Sequence, residues 1–332
     1  MNSHSILITL SRFTQNIKKE KDQKTTFKPY IEKFISWVEY GLRHDFYKVS
    51  IASLNLLYNI MDLIISTSGP SEYKATAENM VKMMIPIFKA NDIDQELKQT
   101  VIITMGNLVK DMGHVLSENS LNAIFTIFLE KTLNENLRTL IFSWLTKSIR
   151  SNPELKVDTY LAKFMNSLLE NINKNNVILQ RQTLDFLTAI AQNQAKALSG
   201  VDETLAKSLI ALLSENNLAL FNVIFDLLSL LTNGFAFSKN ASLLAGCVDS
   251  TIKSLELDDN ESNFTSALFF VESAINLNCL NNKALGEYIA NILKFVKLNI
   301  SKAKIVAVFS KKIGNSSDLV NDLSKKVSLY YI

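Results

Sequence analysis

A chain of 332 residues with only nine glycines and four prolines lacks the turn punctuation that β-rich and α/β folds need. No two glycines stand close enough to form G-x-G, which excludes the Walker and dinucleotide phosphate loops. With 47% hydrophobic and 20% charged residues it can bury a large core, while a net charge of +3 is too small to argue for nucleic acid.

From the N-terminus, Met1 to Phe13 has a five-residue apolar run with no basic residue ahead of it, so it does not read as a signal peptide. Helical patterns follow at about Ile6 to Gln15 and Pro29 to Leu42, expected to pair across a lysine-rich linker at 18–28. Beyond them helix starts recur near Asp45, Asp92, Asn134, Asn176, Asn216, Asn260 and Ser301, with gaps of 40 to 47 residues. A second break falls inside each unit, as at Ser68-Gly69-Pro70, Gly113 to Ser117 and Leu198-Ser199-Gly200. Each unit therefore reads as helix, short turn, helix, at the length of HEAT and armadillo repeats; two helices per unit favours HEAT.

Within the units, Val101, Ile102, Met105, Leu108, Val109 and Met112 form one apolar stripe. Ile178, Leu179, Leu184, Phe186, Leu187 and Ile190 cover most of a cylinder, as a helix between neighbours requires. Asp92 with Gln95 fits an extended capping box, and Pro86 is expected to kink its helix. The longest apolar stretch, Leu218 to Phe237, is broken by Asn222, Asp226 and Asn233 and reads as a buried helix rather than a membrane span. The last residues, Val327 to Ile332, look like an uncapped layer, so the expectation is an all-α solenoid of about seven to eight HEAT-type helix pairs, residues 1–332 forming one array within a longer one.

The usual marks of catalysis are missing. His4, His44 and His114 are scattered, and each is expected to be a solvated loop or helix-end residue. Asp258, Asp259 and Glu261 lack the glycine and distal Glu of a calcium loop. Cys247 and Cys279 have no zinc spacing and should pack as small hydrophobes in a reducing compartment, cytoplasmic or nuclear. Lys302, Lys304, Lys311 and Lys312 lack the interleaved aromatics of a single-strand binder. Basic ends, nine Lys/Arg against five Asp/Glu in 1–50 and nine against three in 283–332, read first as solvated lysines on helix faces, with attraction to an acidic protein partner as the alternative. No enzyme, cofactor, metal, membrane or nucleic acid is expected.

Specific motifs lie at residues 44–160. His44-Asp45-Phe46-Tyr47-Lys48-Val49 resembles a D-P-F-Y-K-I segment, and Lys89-Ala90-Asn91-Asp92-Ile93-Asp94-Gln95-Glu96-Leu97-Lys98, followed by Met105-Gly106 and Gly113, resembles K-A-A-D-I-D-Q-E-V-K with a later M-G and G. Ile127 to Glu130, Asn134-Glu135 with Arg138, and Pro153 with Leu155 to Asp158 follow in order. The pattern is that of cullin-associated, neddylation-dissociated proteins, with His44 and Asp45 standing where the family has Asp and Pro. The resemblance implies a right-handed HEAT superhelix that wraps a cullin–RING complex without catalysis and lets substrate receptors exchange on ubiquitin ligases. The matched residues themselves read as architecture: Asp92 and Gln95 as caps, Phe46 and Tyr47 as a staple on the preceding layer, Met105-Gly106 as a close helix approach. Partner contacts are expected along Ala75 to Phe88, Glu118 to Lys131, Leu155 to Asn171 and Thr204 to Leu213, with Lys82, Lys163 and Lys207 as candidate exposed contacts. The repeat pattern alone equally permits another HEAT scaffold, such as a karyopherin-like carrier or a phosphatase scaffold.

Overall fold

The computed structural model describes residues 3–277 except 20–26, 68–69, 91, 133–134, 153–154, 156–157, 199, 216, 233–239 and 257–259. Among them lie thirteen α-helices and no strand: α1 (Ser3–Lys19), α2 (Ile31–Leu42), α3 (Tyr47–Thr67), α4 (Lys74–Lys89), α5 (Gln95–Met112), α6 (Glu118–Lys131), α7 (Glu135–Ser151), α8 (Asp158–Asn173), α9 (Val177–Gln194), α10 (Asp202–Ser214), α11 (Phe221–Thr232), α12 (Ala241–Glu256) and α13 (Glu261–Asn276). The chain divides into two compact units, Met1–Tyr160 and Leu161–Ile332. The all-α helix-pair solenoid class is thus observed, the helices of each unit other than α8 falling in two rows. In the first unit one row runs α1, α3, α5, α7 and the other α2, α4, α6. In the second, α9, α11 and α13 form one row, and α10 and α12 the other.

The repeat length is written into the hydrogen bonds between neighbouring members of a row. Asn59 Nδ2 donates to the Ser11 carbonyl, 48 residues back, and Asn79 Nδ2 to the Glu39 carboxylate, 40 back. Asn152 reaches Val109 across 43 residues and Ser254 reaches Leu213 across 41. Ser229 and Ser273, 44 apart, share a hydrogen bond. A side chain meeting its counterpart one period away is what stacking of equivalent layers requires.

The pairing frame differs from the expected one. Helices α2 and α3, α4 and α5, and α6 and α7 pack as pairs, and α1 rests on α3 instead of pairing with α2. Both kinds of turn carry the same Ser, Asn and Gly punctuation, so the breaks mark the period without saying which turn closes a pair. The expected linker is also shorter, because α1 continues through Lys19, and Lys28 opens a short 3-10 turn where it meets Glu72 at 3.1 Å. The further pairs expected toward the C-terminus fall in 278–332, outside the described residues, as do Cys279, Asp258, Asp259 and the four lysines from Lys302 to Lys312.

Local rules explain where the helices begin and end. Asn176 accepts from the Leu179 amide at 3.0 Å and Asn260 from Ser262 at 3.0 Å, both as capping predicts. At α5 the cap is Asp94, which accepts from Glu96 at 2.8 Å, and Gln95 is the first helical residue; the Asp92–Gln95 box does not form. The Phe46 amide donates to His44 Nδ1 at 3.0 Å, so His44, not Asp45, satisfies the orphan donor ahead of α3. Pro86 sits in the last turn of α4, which continues as one helix to Lys89 and closes with Ala90 N–H on the Pro86 carbonyl. Gly200 takes φ +105°, the left-handed backbone that a side chain resists, after the short 3-10 turn Ala195–Leu198.

Apolar stripes meet the expectation with two exceptions. Val101, Ile102, Met105, Leu108, Val109 and Met112 are all buried in α5, and α9 buries Leu179, Leu184, Phe186, Leu187 and Ile190. Ile178 is 68% exposed in the first turn of α9. Phe46 is half exposed and lies edge-on to Tyr47, with ring centroids 5.6 Å apart, so it does not staple the preceding layer. Leu218 to Leu220 form a 3-10 turn ahead of the buried helix α11. By length and hydropathy alone Tyr47–Ile65 is long enough to cross a membrane, yet 67% of it is buried against neighbouring helices, as expected of a core helix.

Candidate interaction surfaces

Reactive groups offer little to build a chemical site on. Among the described residues no three His, Cys, Asp or Glu side chains come together as a metal set. Cys247 lies fully buried in α12, and that burial pushes its thiol up to about 12, so the nucleophilic thiolate is disfavoured. His44 is held by the Phe46 amide with its ring near Tyr40, centroids 6.4 Å apart, and His114 is exposed in the turn after α5.

Among the described residues, the one cluster around a shifted carboxylate is structural. Glu78, on α4, accepts hydrogen bonds from the Ser117 amide, the Ser117 hydroxyl at 3.0 Å and the Ser120 hydroxyl. Burial raises the carboxyl, but these hydrogen bonds and the charge of Lys74 outweigh it and hold Glu78 below the ordinary carboxylate range. Ser117 is the N-cap of α6, so a carboxylate from one row member sits at the positive end of the next. Sequence reasoning had no signal for this contact, because Glu78 and Ser117 are 39 residues apart and neither stands in a motif.

The expected contact helices match α4, α6, α8 and α10 within three residues at each end. Lys82 stands exposed on α4. Lys207 is exposed on α10, where its ammonium meets Glu203 at 2.7 Å one turn earlier. Lys163 lies in α8, but its side chain is outside the described residues. Lys82 belongs to the first unit and Lys207 to the second.

The sequence reading missed an aromatic groove at the start of the first unit. Ser3, Ile6 and Leu7 of α1 face Trp37 and Tyr40 of α2 around a cavity of about 420 Å³. Ile6 and Trp37 are each 39% exposed and Tyr40 is 62% exposed. Farther along, Phe13 meets Phe27 at 5.3 Å, and Phe27 meets Tyr30 at 6.1 Å. The sequence holds a signal for it, since the spacing of Tyr30, Trp37 and Tyr40 puts three aromatics along one side of a helix that needs its opposite side for the core.

Rows of paired helices that expose side chains over long faces define a helical-repeat scaffold. Residues 2–105 match the family model described as CAND1-like, TPR repeats. Relatives include Cullin-associated NEDD8-dissociated protein 1 of Dictyostelium discoideum, 20% identical over 70% of this chain and 19% of that protein, and the Drosophila melanogaster protein of the same name, 26% identical over 50% of this chain and 14% of that one. Cullin-associated NEDD8-dissociated protein 2 of Mus musculus is 27% identical over 62% of this chain and 17% of its own length. The resemblance seen at residues 44–160 therefore extends to the N-terminal helices: the chain is similar to a part of the cullin-associated, NEDD8-dissociated proteins and spans less than a fifth of their length. A crystal structure of an engineered protein also aligns over 99% of both chains, with 10% identity and a TM-score of 0.47.

Proposed function

We propose that this chain is a non-catalytic protein-interaction scaffold that acts as a segment of a cullin-wrapping factor, binding cullin–RING complexes and regulating exchange of their substrate receptors in the cytoplasm or nucleus. The observation that carries this reading is the match of residues 2–105, together with 20–27% identity to proteins named as cullin-associated and NEDD8-dissociated. The two-row stack supports it physically. A repeat array presents many shallow contacts along successive helices, and its affinity accumulates by avidity. Lys82 and Lys207, exposed on the helices α4 and α10, are proposed contacts for acidic cullin surface, with Lys163 of α8 between them in sequence. On this reading the array continues beyond these 332 residues.

Co-purification tests it. The full protein, incubated with a cullin–RING complex with and without its NEDD8 modification, is expected to retain the unmodified complex and to release the modified one. Equal retention of both, or recovery of a small GTPase or a phosphatase catalytic subunit with no cullin, would overturn the proposal in favour of another scaffold class.

A further inference from the structure

We propose that the exposed side of the row α3, α5, α7 in the first unit binds an extended peptide segment of a partner protein, which seats apolar residues on Tyr58 and Ile103 and points an acidic end toward α7. Helix α5 has α3 on one side and α7 on the other, and α3 lies between α1 and α5. What these two helices leave open is therefore the side of the row and not the end of a stack. On α3 the open stripe holds Asn55, Tyr58 and the half-buried Asp62; on α5 it holds Gln99, Ile103 and Lys110. Tyr58 and Ile103 stand one period apart in the chain and are each 39% exposed.

Asn107 supplies the polar contact. It follows Ile103 by one turn on the same side of α5, is only 5% exposed, and its side-chain amide has no hydrogen-bond partner among the described residues. The amide is not sealed from solvent, as the buried hydroxyl of Thr188 is. Two other buried asparagines of this row, Asn59 and Asn152, spend their amides on neighbouring helices. A primary amide donates and accepts at once, so one held beside an apolar stripe matches the N–H and C=O of a peptide unit. Only an extended chain has those groups to give, because a helical partner has already paired them within itself.

Spacing and charge define the occupant further. Packed helices lie about 8–10 Å apart. A polyproline-type chain rises about 3.1 Å per residue with three residues per turn, so its residues i and i+3 fall on one side about 9.3 Å apart. Apolar residues at that spacing meet Tyr58 and Ile103, and residue i+6 reaches α7. There Lys147 and Arg150 are exposed and have no acidic partner among the described residues, Lys147 lying instead over the ring of Trp144 at 4.8 Å. Lys110 already meets Asp111 at 3.2 Å, and the α3 end of the face carries Asp62. Carboxylates of the peptide are thus favoured at the α7 end and disfavoured at the α3 end.

The inference does not rest on the cullin reading, and its test contains no cullin. The probes are short fluorescent peptides rich in Pro and Ser, with Leu at i and i+3 and Asp at i+6 and i+7, made in both chain directions. Each is compared with a twin carrying Lys for Asp. The full protein is expected to bind the better of the two directions at least tenfold more tightly than its Lys twin. Asn107→Ala should weaken that peptide at least tenfold while keeping the wild-type urea midpoint, since it removes no hydrogen bond of the fold. Ile103→Ser, at an exposed position, should weaken it to a similar extent, and Arg150→Glu should narrow the preference between the twins. Equal affinity for the twins, no saturable binding in either direction, or binding untouched by both Asn107→Ala and Ile103→Ser would overturn the proposal. So would tighter binding of single-stranded RNA than of the peptide, or equal binding of a helix-forming peptide of the same charge.

Discussion

The indole of Trp144 on α7 fills the space that a side chain at Gly106 on α5 would need: a Cβ built on Gly106 would stand 2.6 Å from the ring's Cγ. The missing side chain is what lets the two row members approach, and Lys147 places its ammonium 4.8 Å from the same ring centroid. Gly106→Ala is therefore expected to destabilise the chain by about 1–3 kcal/mol through overpacking, despite alanine's better helix propensity. With Trp144→Ala already present the clash disappears, and Gly106→Ala should become stabilising by up to about 1 kcal/mol. Urea midpoints of the four proteins in this cycle check the reversal of sign.

Glu78 ties α4 to the start of α6, and its protonation should loosen that tie. Its carboxyl is held below its ordinary value in the folded chain, so the stability it lends is fully present above the unfolded carboxyl range. That stability declines as pH falls through the unfolded value and toward the lower folded one. Glu78→Gln should accordingly lower the urea midpoint at neutral pH and have progressively less effect toward pH 3. A gap between wild type and variant that stays constant across this range would remove Glu78 from the linkage.

Asn152 performs a similar service at the other end of a helix. Its side-chain amide lies within hydrogen-bond reach of the carbonyls of Val109 at 3.0 Å, Lys110 at 2.9 Å and Ser148 at 3.2 Å, so it gives the Lys110 carbonyl a donor where α5 ends and adds one to Val109 and Ser148, which also accept from the Gly113 and Asn152 backbone amides. Asn152→Ala takes the side-chain donor from the Lys110 carbonyl, while the Gly113 and residue-152 backbone amides still serve Val109 and Ser148, and should cost about 0.5–1.5 kcal/mol. Asn152→Asp is expected to be worse at neutral pH, since a carboxylate would face three carbonyl oxygens. Part of that excess should return on acidification, when the carboxyl regains a hydrogen to donate. Denaturation curves at neutral and acid pH distinguish the two effects.

These contacts mark the boundary of what can be read from a single chain. The period and the stripes were legible because apolar residues at helical spacing and Asn or Ser at helix starts obey local rules: Asn176 and Asn260 cap where capping chemistry puts them. Gly106 was legible too, as a missing side chain inside an apolar stripe. Asp92 was not separable from Asp94, because either can cap a helix whose start shifts by two residues. The pairing of α2 with α3 was hidden because the turns within and between pairs look alike. Glu78 with Ser117, and Ile6 with Trp37, come together only once helices remote in sequence are placed side by side.

Cys247 gives a probe of α12 that depends on burial alone. Its thiol is enclosed and pushed up to about 12, so both access and thiolate formation oppose reaction near neutral pH. In a Cys279→Ser background the native protein should react with an aromatic disulfide reagent at least a hundredfold more slowly than the urea-unfolded chain, with the full signal of one thiol appearing on denaturation. Rapid labelling of the native chain would mean that α12 opens readily.

The proposed cullin contacts can be separated from stability at Lys82 and Lys207, which are exposed. Lys207→Glu removes the pair with Glu203 and sets two carboxylates one turn apart, a change worth only about 0.2–1 kcal/mol at the surface. Lys82→Glu, on an exposed site of α4, should cost no more. The double variant K82E/K207E is therefore expected to stay within about 1 kcal/mol of the wild-type stability, and the combined variant K82E/K163E/K207E to lose at least tenfold in affinity for an unmodified cullin–RING complex, a loss that should shrink at high salt. Because Lys82 and Lys207 lie in different compact units, the single variants report the units one at a time. If K82E alone weakens binding, the first unit carries the charge contact; if only K207E does, the second carries it. Unchanged affinity in the triple variant would remove all three lysines from the interface.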